Sequence, residues 1–327
     1  MIETRILGKN GPTIGCLGYG AMGLEGYYGT SIDGEGIKTI QRALDVGMTM
    51  IDTADAYGNG HNENLVGQAV HGKRSQAFIA TKFGIILDDA QKGTSFPTGW
   101  GFTLKINGRP SYVRKAVDAS LQRLHTDFVD LLYLHYPDPD VPIEETVDAM
   151  ADAVRAGKTR YLGLSNVTPD HVQRAATVHP IAAVQYEYSL WRREVENDLL
   201  PALRKLGIAL VPWAPLGCGF LSGNAIQLEK NDFRKNNPRF TEKNLPKNQS
   251  HFAPLFALAK DLGATSAQLA LAWLLHQGKD IIPIPGTRHA RRVDENAEAS
   301  GLSLSPEVLN RINEIASPGL AKGKTLL

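Results

Sequence analysis

The 327-residue chain reads as one (β/α)8 barrel with an N-terminal β-hairpin. Three observations lead there. Short apolar runs alternate with longer amphipathic ones through the whole sequence, the pattern of a βα repeat. The length suits one such barrel with insertions, and no Pro/Ser-rich linker or break in composition divides it, so a single domain over 1–327 is expected. The two longest irregular stretches follow the third and seventh strands, at the end of the barrel where such enzymes build their sites.

Strands are expected at residues 16–20, 49–53, 78–82, 131–135, 161–165, 183–186, 209–213 and 281–284. Helices are expected at 62–70, 112–124, 143–156, 169–176, 195–206, 253–262, 266–276 and 291–299, with a closing helix at 306–316; none is assigned between the first two strands. Residues 5–7 and 13–14 flank Asn10-Gly11 and form the hairpin. The loop 84–110 carries Phe96, Pro97, Trp100 and Phe102 and reads as a substrate wall. The loop 217–250, rich in Lys, Asn and Pro, divides evenly between a solvated flap and a functional segment.

Composition narrows the function. With 35 basic and 34 acidic residues, net charge +1, there is no electrostatic footprint for nucleic acid or an anionic membrane surface. Cys16 and Cys218 are the only cysteines and form no C-x-x-C, so neither a zinc nor a redox pair is suggested; free thiols suit a reducing cytosol. The start Met-Ile-Glu-Thr-Arg lacks the apolar core of a signal peptide, and no apolar run approaches the roughly 18 residues of a membrane span. A cytoplasmic protein, monomeric or weakly homo-oligomeric, is expected.

Gly18-Tyr-Gly20-Ala-Met22-Gly23 satisfies G-x-G-x-x-G, but the chain runs on as Leu24-Glu-Gly-Tyr-Tyr-Gly29, a loop and not the helix a dinucleotide fingerprint requires. What survives is a close backbone approach to a ligand at the first strand's end. Four polar residues carry more weight. Asp52, Lys82 and His135 end the second, third and fourth strands, and Tyr57 follows Asp52 in a D-A-Y-G turn. Singly, each has a dull explanation: a capped turn, a snorkelling lysine, a satisfied core histidine. On the rims of successive units they converge.

Their chemistry suits carbonyl reduction. A tyrosine with a pKa of about 10 is a protonated acid at neutral pH. Lys82 beside it favours phenolate and is expected to lower that pKa toward working pH; Asp52 can hold Lys82 charged, and His135 can donate to a carbonyl oxygen. A metal-dependent hydrolase using Asp52, His61 and His135 is the competing reading, but no H-x-H or H-E-x-x-H supports it, and no metal is expected.

Asp52-Thr-Ala-Asp-Ala-Tyr57-Gly, Ala80-Thr-Lys82 and Leu134-His135 resemble the catalytic segments of the aldo-keto reductase superfamily, and the likeness runs from the Gly18-x-Gly20-x-Met22 strand to Glu295-Asn296. Within it the chain is most similar to the microbial and plant branch related to auxin-induced protein and pyridoxal reductase. The resemblance implies an oxidoreductase acting on CH–OH and carbonyl groups, a small-molecule carbonyl substrate, and NADPH/NADP. By the same resemblance, Gly20, Met22 and Asp52 border the cofactor, and Ser165, Asn166 and Gln185 hold the nicotinamide amide. Trp213 stacks on its ring, and Ala214, Leu216, Cys218 and Gly219 meet the pyrophosphate. Gly286, Thr287, Arg288, Arg292, Glu295 and Asn296 meet the adenosine 2′-phosphate. Arg288 and Arg292, four apart, are expected on one helical face, with Arg291 able to substitute. Substrate selection is expected to fall to Tyr27, Tyr28, Tyr136, Trp191 and the loop 84–110. The alternative is an NADPH-sensing interaction module resembling potassium-channel β subunits.

Overall fold

Two short strands, β1 (Thr4–Ile6) and β2 (Thr13–Gly15), pair antiparallel with Arg5 opposite Ile14. In this computed structural model, which describes residues 1–88 and 90–327, that hairpin plugs the bottom of a barrel. Leu7 and Ile14 join the interior apolar cluster, and Arg5 donates to the carbonyls of Leu275, Gly278 and Ile281.

The barrel wall begins with β3 (Tyr19–Gly20), β4 (Met50–Asp52) and β5 (Phe78–Phe83). A separate antiparallel hairpin follows, β6 (Thr94–Pro97) and β7 (Thr103–Ile106); the loop 84–110 therefore has a sheet of its own. The wall resumes with β8 (Val129–Leu134), β9 (Thr159–Ser165), β10 (Ile181–Glu187) and β11 (Ala209–Trp213), all parallel, in the order β3-β4-β5-β8-β9-β10-β11. β5 and β8 are buried at every position, as parallel strands covered on both faces must be.

The eighth strand expected at 281–284 closes the barrel without becoming a regular strand. Ile282 N and Ile284 N donate to Leu210 O and Pro212 O at 2.9 and 3.1 Å, while Pro283 O and Pro285 O accept from Gly18 N and Gly20 N at 2.9 and 3.3 Å. Pro283 and Pro285 have no N–H to return, so the segment donates on one side only and retains a single bridge, Leu210↔Ile281.

The helices are α1 (Asp33–Val46), α2 (His61–Ala69), α3 (Pro110–Leu124), α4 (Ile143–Arg155), α5 (Pro169–Val178) and α6 (Leu199–Leu206) between strands, then α7 (Leu245–Asp261), α8 (Ser266–His276), α9 (Ala290–Glu298) and α10 (Pro306–Ile315) after β11. α1 is the helix that the sequence pattern does not predict. Its first turn carries Asp33 and Glu35 but also Gly34 and Gly36, and Ile32 before it offers no capping side chain. Gly36 lets the helix approach Leu24 and Leu65, which a Cβ there would meet at 3.2–3.3 Å. By contrast α8 begins and ends where expected, and Thr265 and Gln268 form a complete capping box at its start. α7 starts eight residues earlier than the expected 253, with Pro254 inside it.

Gly163 makes room inside the wall: a Cβ there would fall 2.5 Å from the ring of Tyr133 on the neighbouring strand. Gly163→Ala is expected to cost about 1–3 kcal/mol by overpacking. Urea denaturation checks this, and an unchanged midpoint would show that the ring gives way freely.

Candidate active site

Side chains alternate between the two faces of a strand, so those inside the barrel recur every second residue. Met50, Ala80, Tyr133, Ala183 and Val211 belong to the interior cluster. Two residues further on each chain segment stand Asp52, Lys82, His135, Gln185 and Trp213, which therefore form the topmost inward layer.

Lys82 is fully buried, and its three protons have three acceptors. They are Asp52 Oδ1 at 2.6 Å, Thr53 O at 2.8 Å and Tyr57 Oη at 3.2 Å. Asp52 Oδ2 accepts from Gln185 Nε2 at 2.7 Å, so Gln185 braces the carboxylate in this structure. Burial disfavours the Lys82 ammonium, but Asp52 and Tyr57 outweigh it and hold the group above the ordinary lysine range. Burial pushes the Asp52 carboxyl up while Lys82 and Gln185 pull it back.

Tyr57 comes from the turn after β4. Asp55 N donates to Lys82 O at 3.0 Å, and the turn Tyr57–Gly60 continues through Gly58, Asn59 and Gly60, all with positive φ. The expected lowering of the tyrosine pKa does not result. Lys82 does pull it down, but burial of the hydroxyl pushes harder, and the net shift is upward. Tyr57 therefore keeps its proton at neutral pH.

Burial, seconded by Lys82, holds His135 well below its ordinary value, so the ring is neutral. Its Nδ1 is buried with no partner. The ring meets Tyr57 edge-on with centroids 6.0 Å apart and stacks on Tyr136 at 5.3 Å, which in turn faces Phe96 at 5.4 Å.

Beside this group, Ser165 Oγ is buried with nothing to bond. Asn166, at φ 59, donates to His135 O (3.1 Å) and accepts from Trp213 Nε1 (3.2 Å). Ala214, Gly217, Cys218 and Gly219 all have positive φ, and Gly217 N and Gly219 N turn onto Ala214 O and Leu216 O. Across the mouth, Gly286 packs on Gly20: a Cβ would fall 2.6 Å from Gly20 O. Met22 is half-buried nearby in sequence, and Tyr19 Oη donates to Thr287 O at 2.5 Å.

Two further expectations need correction. Arg288 and Arg292 do not share a helical face: α9 begins at Ala290 with His289 as its cap, so Arg288 lies outside and donates to Thr30 O, while Arg292 pairs with Glu295. Asn296 is buried one residue on. Trp191 is no substrate selector, since it is buried among Phe220, Phe240 and Phe252. His61 does not join Asp52 and His135; it lies between Glu25 and Asp33. Among the described residues no group of three or more His, Cys, Asp or Glu could hold a metal ion.

Phe233 is a rim residue that no sequence expectation named. Its ring meets Tyr27, Trp100 and Phe102 at 5.7–5.8 Å, and its N–H donates to Tyr27 O at 2.8 Å. It ties three rim loops together. The one available signal was a lone aromatic in a run of Lys, Asn and Pro.

The fold agrees with what comparison with known proteins finds. Residues 16–317 match the model of the Aldo/keto reductase family, and the chain belongs to that family. It is 43% identical over 321 residues to the "Probable aldo-keto reductase 1" of Glycine max, covering 97% of this chain and 90% of that protein. Its structure resembles the glycerol dehydrogenase of Gluconobacter oxydans (TM-score 0.84, 30% identity, 99% of both chains). It also resembles an aldo-keto reductase of Klebsiella pneumoniae solved with NADPH (TM-score 0.75, 26% identity, 100% of this chain and 99% of that one). No helix among the described residues is long and apolar enough to cross a membrane.

Two outcomes follow from the charges. Lys82→Ala leaves Asp52 buried without its cation and is expected to cost about 3–5 kcal/mol in urea denaturation; Asp52→Leu with Lys82→Met should recover much of it, and a single-variant loss below about 1 kcal/mol would show that the pair is dispensable. His61 is held above its ordinary 6.5 chiefly by Glu25, with burial opposing and Asp33 assisting. Its contribution to stability is complete below pH 6.5 and fades as pH rises through the higher folded-state value. The unfolding temperature of wild type relative to His61→Gln should therefore fall as pH rises above 6.5, and a constant difference would refute this contribution.

Proposed function

We propose that the chain reduces aldehydes or ketones to alcohols with NADPH, Tyr57 donating the proton. The observation that carries this is the 3.2 Å contact between Tyr57 Oη and the buried Lys82 ammonium, itself bonded to Asp52. NADPH when bound supplies the hydride. The residues present suit a nicotinamide: the orphaned Ser165 Oγ, the amides of Asn166 and Gln185, and the half-exposed face of Trp213 adjoin one another at the mouth. Gly20, Met22 and the segment 214–219 would border the rest, with Gly286, Thr287, Arg288, Arg292, Glu295 and Asn296 at the adenosine end. The Klebsiella relative solved with NADPH supports the choice of cofactor.

The protein's own groups then have defined tasks. His135 is neutral and its Nδ1 has no acceptor, which favours the tautomer with the proton on Nε2. That N–H donates to the substrate carbonyl and aims it at Tyr57. As negative charge develops on the oxygen, the Tyr57 proton passes to it, and the phenolate left behind faces Lys82. Asp52 keeps Lys82 charged. Phe96 and Tyr136 supply an aromatic flank, which favours a medium-sized aromatic aldehyde.

NADPH consumption over a panel of aldehydes tests the reading. Tyr57→Phe should lose about 10²–10⁴-fold in kcat, and equal rates in the two proteins would overturn the assignment. Arg288→Ala and Arg292→Ala should raise KM for NADPH and leave KM for NADH nearly unchanged; a parallel rise for both would remove the 2′-phosphate role.

A further inference from the structure

A second buried charge cluster lies behind the Tyr57 turn, and the reaction above does not use it. Glu63, in the first turn of α2, is fully buried. Its Oε1 accepts from Thr81 Oγ1 at 2.5 Å, and its Oε2 from Arg123 Nε and Nη2, both at 2.6 Å. Thr81 immediately precedes Lys82 on β5, and Arg123 stands in the last turn of α3. Asp55 Oδ1, two residues before Tyr57, is also buried, with no partner. Burial and the charge of Glu63 push the Asp55 carboxyl well up, with Arg123 opposing, while Glu63 and Arg123 form the ion pair.

The same arginine touches the turn itself. A Cβ on Gly60 would fall 2.5 Å from Arg123 Cδ, so the side chain runs directly across the turn's last residue. Gly58, Asn59 and Gly60 have φ of 57, 53 and 88° in succession, values that glycine adopts freely, so only Asn59 needs its surroundings to hold it there. On the other face, Glu25 presses on Gly58, whose Cβ would lie 2.0 Å from Oε2, and Tyr27 Oη accepts from Gly58 N at 3.4 Å.

We infer that the Glu63–Arg123 ion pair is a positioning device that holds Tyr57 against Lys82. The inference rests on the reading of Tyr57 as proton donor. An ion pair that merely tied α2 to α3 would have no reason to grip both sides of the Tyr57–Lys82 contact. This one does: Glu63 reaches the residue next to Lys82, and Arg123 reaches the turn that ends at Gly60. Loss of the guanidinium leaves Glu63 buried and unpaired beside Asp55, and the turn shifts to relieve it.

Arg123 reaches the surface, so its substitution is the test. Arg123→Met should lower kcat about 10- to 100-fold, the cost of a misplacement on the order of 1 Å. The Kd for NADPH, read by fluorescence titration, should stay within about twofold. The alkaline limb of the kcat–pH profile should move as the hydroxyl leaves Lys82. Arg123→Lys keeps the charge without the fork and should fall between, and it carries the test if Arg123→Met does not fold. Glu63→Gln combined with Arg123→Met should be no worse than Arg123→Met alone, since the two act as a unit. A folded Arg123→Met with kcat within about twofold of wild type and an unmoved limb overturns the inference, even if its unfolding temperature drops. Tyr57→Phe run alongside separates the two failures. Full activity there removes the proton-donor reading itself; an inactive Tyr57→Phe beside a normal Arg123→Met removes only the positioning role.

Discussion

An inward side chain on a barrel strand is followed by the next inward one two residues later. That constraint arranges everything at the mouth of this barrel. Met50, Phe78, Ala80, Leu131 and Tyr133 fill the interior, and the same parity delivers Asp52, Lys82 and His135 one layer higher. A register slip of one residue in β5 would send Lys82 into the helix layer and leave Asp52 facing Thr81 or Phe83. The wall therefore holds the site because it cannot shift without exchanging its apolar core for its polar rim.

The polar layer has a cost of its own. An ammonium with no access to solvent needs every proton satisfied. Lys82 meets that requirement with Asp52, the Thr53 carbonyl and the Tyr57 hydroxyl, and Gln185 satisfies the other carboxylate oxygen. The charges are thereby placed in advance of any reaction, in surroundings that exclude water and strengthen each contact. The rim loops are gathered by a different force. Phe233 packs Tyr27, Trp100 and Phe102 together, so the loops after β3, β5 and β11 meet through apolar contact.

Much of this was legible beforehand. Strands with long apolar runs, such as the one holding Lys82 and the one ending just before His135, announced themselves. Features without a local signature did not. The α1 helix has two glycines in its first turn and no capping side chain at Ile32, and the segment 281–284 alternates with prolines that bar a regular ladder. Arg288 and Arg292 looked like helical neighbours because spacing alone cannot say where a helix begins; His289 caps α9 and excludes the first of them.

What the sequence by itself determined was the repeat, the parity and the residue types at the strand ends, because these depend on local periodicity and on which side chains can move a proton. The tertiary structure decided the balances. Whether Tyr57 sits above or below its ordinary pKa is a contest between burial and Lys82, and burial prevails. Whether Trp191 is wall or core depends on Phe220, Phe240 and Phe252, which come from distant segments. Glu63 and Arg123, 60 residues apart, meet behind the tyrosine only when α2 and α3 pack side by side on the barrel. Such sums over long-range neighbours have no counterpart in any stretch of chain.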